Sequence, residues 1–165
     1  MTELFNITGH TVHLGIMSGT DIVYLEKIYG HNSAKVRTSV GSRRPAYSTA
    51  LGKAILAHTH PDEVGSSLPA KLSRITPYTI SSEGMIFKAF TRIREEGTAT
   101  DYEESFHGLS CLAAPIFHTE SCAPVAALSL SVPANGRSVL RHRNALLDAA
   151  RHLSKELGYM PMVSL

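Results

Sequence analysis

In the stretch GLSCLAAPIF, residues 108–117, one thiol, Cys111, sits inside an apolar run with the acidic TDYEES just upstream. As a nucleophile, Cys111 would need His107 as base, Asp101 to orient that base, and a surrounding that favours the thiolate. His107 and Cys111 are four residues apart, which brings two side chains together only on a helix, and the run around Cys111 has the character of a strand. A cysteine among apolar neighbours is more often a small hydrophobe than a catalyst. No enzyme is expected. Nine histidines invite a metal reading, and His58 and His60 form an H-x-H pair, but no further ligands stand at zinc spacing. Neither a metal nor a cofactor is expected. The GKA at 52–54 is no phosphate loop, because Ala54 stands where a Ser or Thr would hold magnesium. What remains is ALSLSV, where Ser129 and Ser131 share one strand face and Leu128 and Leu130 the other. Either those hydroxyls line a ligand pocket with Cys111 and Leu109, or they face solvent on a sheet with one wet side.

These residues must be carried by a scaffold of limited size. A chain of 165 residues, 43% hydrophobic and 18% charged, supports one ordinary core. The expected organisation is therefore a single domain over residues 1–165. Sixteen basic and fourteen acidic residues leave a net charge of +2, and neither sign is gathered into a nucleic-acid arm. The two cysteines, Cys111 and Cys122, suit a reduced cytoplasmic protein better than a disulfide-stapled secreted one. The N-terminus lacks a signal-peptide pattern, and no apolar stretch approaches the ~18 residues of a membrane span.

TVHLGIM and IVYLEKI read as a hairpin joined by the four residues SGTD, and AKVRTSVG at 34–41 as a third strand. PAYSTALGKAILAH turns helical near Ser48 or Thr49, either of which could cap it. Pro61 opens a short second helix. A third follows Ser82 and stops at Gly97, with Ile86, Ala89, Phe90 and Ile93 on one face. TATDYEES returns to extended or loop structure. LSCLAAPIF and VAALSLSV form a second hairpin, and a last helix runs from about Ser138 to Leu157, where Gly158 ends it. Adjacent strands around a helical block predict an α+β fold with an antiparallel sheet. The basic residues of the last helix, Arg141, Arg143, Arg151 and Lys155, read as a solvated face.

VGSRRPAYSTALGKAILA, ITPYTI, IREEGTATDYEESFHGLSCLAAPIF and VAALSLSVP, in this order, resemble the effector-binding domain of the IclR family of bacterial transcriptional regulators. The resemblance runs from about Leu4 to Gly158. It implies a GAF-like fold, a curved antiparallel sheet with helices on both sides. It also implies an N-terminal winged helix-turn-helix domain outside this sequence, through which operator DNA would be bound. The effector would be a small organic acid and the assembly a homodimer or homotetramer. Carried over by resemblance, the acid would meet the backbone amides of Ala50 and Leu51, the polar groups of Asp101, Cys111, Ser129 and Ser131, and the apolar walls Val36 and Leu109. Asp101 would then hydrogen-bond a ligand hydroxyl. The sequence departs from the pattern at Arg44, where keto-acid binders carry a leucine, and at Ala50, which replaces a more usual glycine. Leu51 would narrow the pocket. Arg44 either faces solvent or widens the ligand class from keto acids to dicarboxylic or aromatic acids.

Overall fold

The computed structural model describes residues 1–31, 38–121, 123–134 and 139–159. In chain order the elements are α1 (Thr2–Thr8), β1 (Thr11–Ser18), β2 (Asp21–Ile28), β3 (Arg43–Pro45), a 3-10 turn (Ala46–Ser48), α2 (Ala50–Leu56), α3 (Pro61–Ser67), α4 (Glu83–Glu96), β4 (Ala99–Tyr102), β5 (Leu109–Ile116), β6 (Ala126–Pro133), a second 3-10 turn (Val139–His142) and α5 (Arg143–Glu156). The strands form one antiparallel sheet in the order β3-β2-β1-β6-β5-β4. The α+β antiparallel fold expected from the pattern is the one observed.

Period-two alternation gives this sheet two unlike faces. On one, Leu112, Ala114, Leu128, Leu130 and Val12 pack with Leu4 of α1 and Leu146 of α5. On the other, Ala113, Ala127, Ile22 and Tyr24 meet α2, α3 and α4 through Leu51, Ala54, Val64, Ile86 and Phe90. Closeness on that second face depends on Gly52. A Cβ there would lie 2.2 Å from the carbonyl oxygen of Ala46, so only glycine lets α2 fold back against the preceding turn.

The local signals explain most boundaries. Thr49 caps α2, its hydroxyl accepting the Gly52 amide proton at 2.9 Å. Pro61 opens α3, and Gly97, at φ 70°, closes α4. Three expectations need correction. Ser18 pairs with Asp21, so the first hairpin turns through two residues, Gly19 and Thr20, with Gly19 at φ 63°, rather than through four. The strand paired with β2 is Arg43–Pro45, and Thr38–Gly41 form no strand; residues 34–37 of the expected third strand lie outside the described ones. The last helix becomes α-helical only at Arg143, after a 3-10 turn. Two elements went unread: α1, and β4 within a segment expected only to be extended or looped.

Candidate functional site

One row of polar side chains crosses the α2 face of the sheet. Thr11, Ser131, Cys111 and Asp101 are successive register partners on β1, β6, β5 and β4, and His13 pairs with Ser129 in the adjacent row. All but Cys111 are buried, and Cys111 is nearly so. Cys111 Sγ and Ser131 Oγ lie 3.2 Å apart. The inward-facing reading of Ser129 and Ser131 therefore holds, and the solvent-facing one fails, because α2 and the 103–108 loop cover the row.

Ala50 and Leu51 bring the first turn of α2 onto this row, where amides have no partner within the helix. With Asp101, Leu109, Cys111, Ser129 and Ser131 they line one pocket, so seven of the nine residues expected from sequence converge. Val36 lies outside the described residues. Arg44 is not in the lining: its guanidinium stacks at 3.9 Å over the ring of Phe106, which is. The enclosed space is small, about 20 Å3, so any ligand larger than a water molecule must displace part of the wall.

Six further residues close the pocket: His13, Tyr24, Thr38, Thr49, Ser105 and Phe106. The alternation of TVHLGIM puts His13 on a polar face, but only register shows that Ser129 is its neighbour. Tyr24 points inward because β2 carries a bulge: Leu14 faces Glu26 and Gly15 faces Tyr24, which leaves Leu25 as the extra residue, turned outward. The Nε2 of His13 hydrogen-bonds Thr38 Oγ1 at 2.8 Å, and its ring meets Tyr24 edge-on. Burial first, then the nearby Lys27 ammonium, lower its pKa to about 3, so the imidazole is neutral.

Asp101 organises the covering loop. Its Oδ1 accepts the Glu104 amide at 2.6 Å and the Ser105 amide at 3.4 Å. The ITPYTI segment holds the same loop: Thr76 Oγ1 donates to the Glu103 carbonyl at 2.6 Å and Thr79 Oγ1 to that of Glu104 at 2.7 Å. Glu103 adopts φ 58°, a left-handed conformation uncommon outside glycine. Behind it, Lys53 of α2 forms a buried ion pair with Glu104. Burial raises the Asp101 carboxyl to about 7; the Lys53 ammonium opposes this and the Glu104 carboxylate adds to it.

The alternative chemistries find no geometry. Burial, followed by the Asp101 charge, pushes the Cys111 thiol well above its ordinary range, the reverse of what a nucleophile needs. His107 is exposed and turned to Glu103, 3.3 Å away, so it does not orient toward Cys111. His58 Nδ1 donates to the Ala54 carbonyl, and His60 accepts the Asp62 amide at the start of α3. Among the described residues no three metal-ligating side chains cluster, and no helix is long and apolar enough to cross a membrane. Cys122 lies outside the described residues.

The family described as "Bacterial transcriptional regulator IclR C-terminal" matches residues 1–157. The HTH-type transcriptional regulator XynR of Escherichia coli is 37% identical over 163 residues, 96% of this chain and 64% of that protein. Among solved structures, the C-terminal domain of the E. coli transcriptional regulator KdgR superposes with a TM-score of 0.86 at 36% identity, covering 96% of this chain and 94% of that one. The Thermotoga maritima IclR superposes with a TM-score of 0.90 at 33% identity, covering 96% of this chain and 65% of that one. The chain thus spans a little under two thirds of the length of XynR.

Proposed function

The chain belongs to the IclR family of bacterial transcriptional regulators, matching its C-terminal domain, and we propose that it is the ligand-sensing part of such a regulator. The effector is a small organic acid, and its binding alters DNA binding by the whole protein. One observation carries this reading: seven residues from three strands and a helix converge on a single pocket with apolar walls and several convergent polar groups. The amides of Ala50 and Leu51 supply donors for a carboxylate. α2 has only seven residues, so individual amides matter more than a helix dipole. Asp101 takes a ligand hydroxyl. Ser129, Ser131 and the weakly polar edge of Cys111 orient the rest.

Arg44 acts in this reading through Phe106. Holding that ring over the pocket, the guanidinium latches the wall that must move for a ligand to enter. Once displaced, it is available to a second carboxylate or an aromatic ring, which keeps dicarboxylic and aromatic acids beside keto acids as candidates. Operator DNA is contacted by a separate winged helix-turn-helix domain, the assembly is a homodimer or homotetramer, and the protein works in the cytoplasm. The ligand must favour one arrangement of that assembly over another for sensing to follow.

A thermal-shift screen against keto, dicarboxylic, aromatic and sugar acids tests the proposal. A true effector at 100 times its Kd adds about 2.7 kcal/mol, a rise of a few degrees in Tm. The shift is lost in Ser129→Ala. Absence of any shift across all four classes would instead favour an oligomerisation or interaction role for this domain.

A further inference from the structure

We infer that a second cavity, between the overhanging end of β5 and the last helix, is a binding site for a flat aromatic anion. It arises from the unequal lengths of two strands. β4 begins at Ala99, opposite Ala113, so Pro115 and Phe117 run on past the start of their outer neighbour. The gap is closed by His58 from the end of α2, Gly97 from the end of α4, and α5. It holds about 320 Å3, which is within the range of small-molecule sites. This site is distinct from the proposed effector pocket and does not depend on it.

The chemistry of the walls selects the occupant. Phe117 and Tyr159 stack with ring centroids 5.0 Å apart and planes 23° from parallel, and His58 meets Phe117 edge-on at 5.6 Å. With Leu147 and Ala150 these make an apolar cavity with one aromatic wall, against which a flat ring can lie. Arg151 and Lys155, one turn apart on α5, line the same cavity, and among the described residues no carboxylate does. Arg151 is partly engaged by Asp148 at 3.1 Å. The local field at the rim is therefore positive, complementary to an anion. His58 adds direction. Its Nδ1 donates to the Ala54 carbonyl at 3.0 Å, which fixes the neutral tautomer and leaves Nε2 as an acceptor. A ring bearing a carboxylate or sulfonate toward Lys155 and a hydroxyl toward His58 would satisfy both ends.

The test uses 1-anilinonaphthalene-8-sulfonate, an aromatic anion that fluoresces in apolar surroundings, titrated into the full chain, which contains no tryptophan to interfere. The expected result is saturable one-site binding, weakened roughly tenfold in Lys155→Glu, equivalent to about 1.4 kcal/mol, and retained in Lys155→Arg. Both variants change an exposed side chain and should fold normally. Methyl NMR should then place the probe by shifts at Leu147 and Ala150. The inference is overturned if the full chain does not bind, if Lys155→Glu binds as well as the parent, or if the shifts fall at Ala50 and Leu109 instead.

Discussion

The two faces of the single sheet are built from the same strands, yet they have opposite characters. On the α5 face, Leu112, Leu128 and Leu130 pack in an apolar cluster with Val12, Leu4 and Leu146. On the α2 face, the residues between them in sequence, Cys111, Ser129 and Ser131, form a polar row that needs Asp101, His13 and an ion pair to be tolerated in burial. Both faces carry an apolar core, and the polar row, where specificity can reside, is set into the second. Buried polar groups add little net stability but cost a great deal when left unpartnered.

That contrast can be broken most directly at Lys53→Met. Removing one partner of a buried ion pair strands the Glu104 carboxylate, and a loss of about 3–5 kcal/mol is expected in urea unfolding. On the other face, Leu128→Ala should cost about 3 kcal/mol through cavity formation alone, with effector-induced thermal shifts unchanged. Equal loss of ligand response in that variant would show that the faces are not separable.

A subtler probe is pH. Asp101 in the folded chain ionises near 7, above its unfolded value of 3.8. The stability it contributes is complete below the unfolded value and is lost as pH rises through the folded one. Between pH 6 and 8 this amounts to about 1 kcal/mol, read as the difference between the parent and Asp101→Asn so that the histidines cancel. The same protonation should make a carboxylate effector bind more tightly at pH 6 than at pH 8, because the neutral carboxyl no longer repels it. The smallest effect belongs to Cys111→Ser. It exchanges one weak polar edge for another beside Ser131 and should shift stability by less than about 1 kcal/mol, leaving ligand affinity within a few-fold.

Much of this was legible in the residue pattern. The alternation of ALSLSV divides Leu128 and Leu130 from Ser129 and Ser131, and Thr49, Pro61 and Gly97 mark helix ends by chemistry that acts within a few residues. Other features were not legible, for identifiable reasons. The Gly19–Thr20 turn was overestimated because Ser18 and Asp21, residues common in loops, pair with each other across the hairpin. β4 was missed because TATDYEES has no apolar run, being held by β5 on one side only. His13 and Tyr24 were absent from the expected pocket because a bulge and a register, neither encoded in local spacing, decide which side chains meet.

The sequence by itself determined most of the elements and the two-faced alternation, because these rest on interactions between near neighbours in the chain, and its motifs carried the family. Only the tertiary structure decided that Arg44 clasps Phe106, that Lys53 meets Glu104, that Asp101 ties down the covering loop, and that a short β4 leaves a cavity beside α5. The Arg44–Phe106 and Lys53–Glu104 contacts join residues dozens of positions apart, whereas Asp101 reaches only three and four residues along the chain, to a loop whose course is set by the contacts around it. Their geometry follows from strand order, register and the packing of helices on each face, which no local spacing contains.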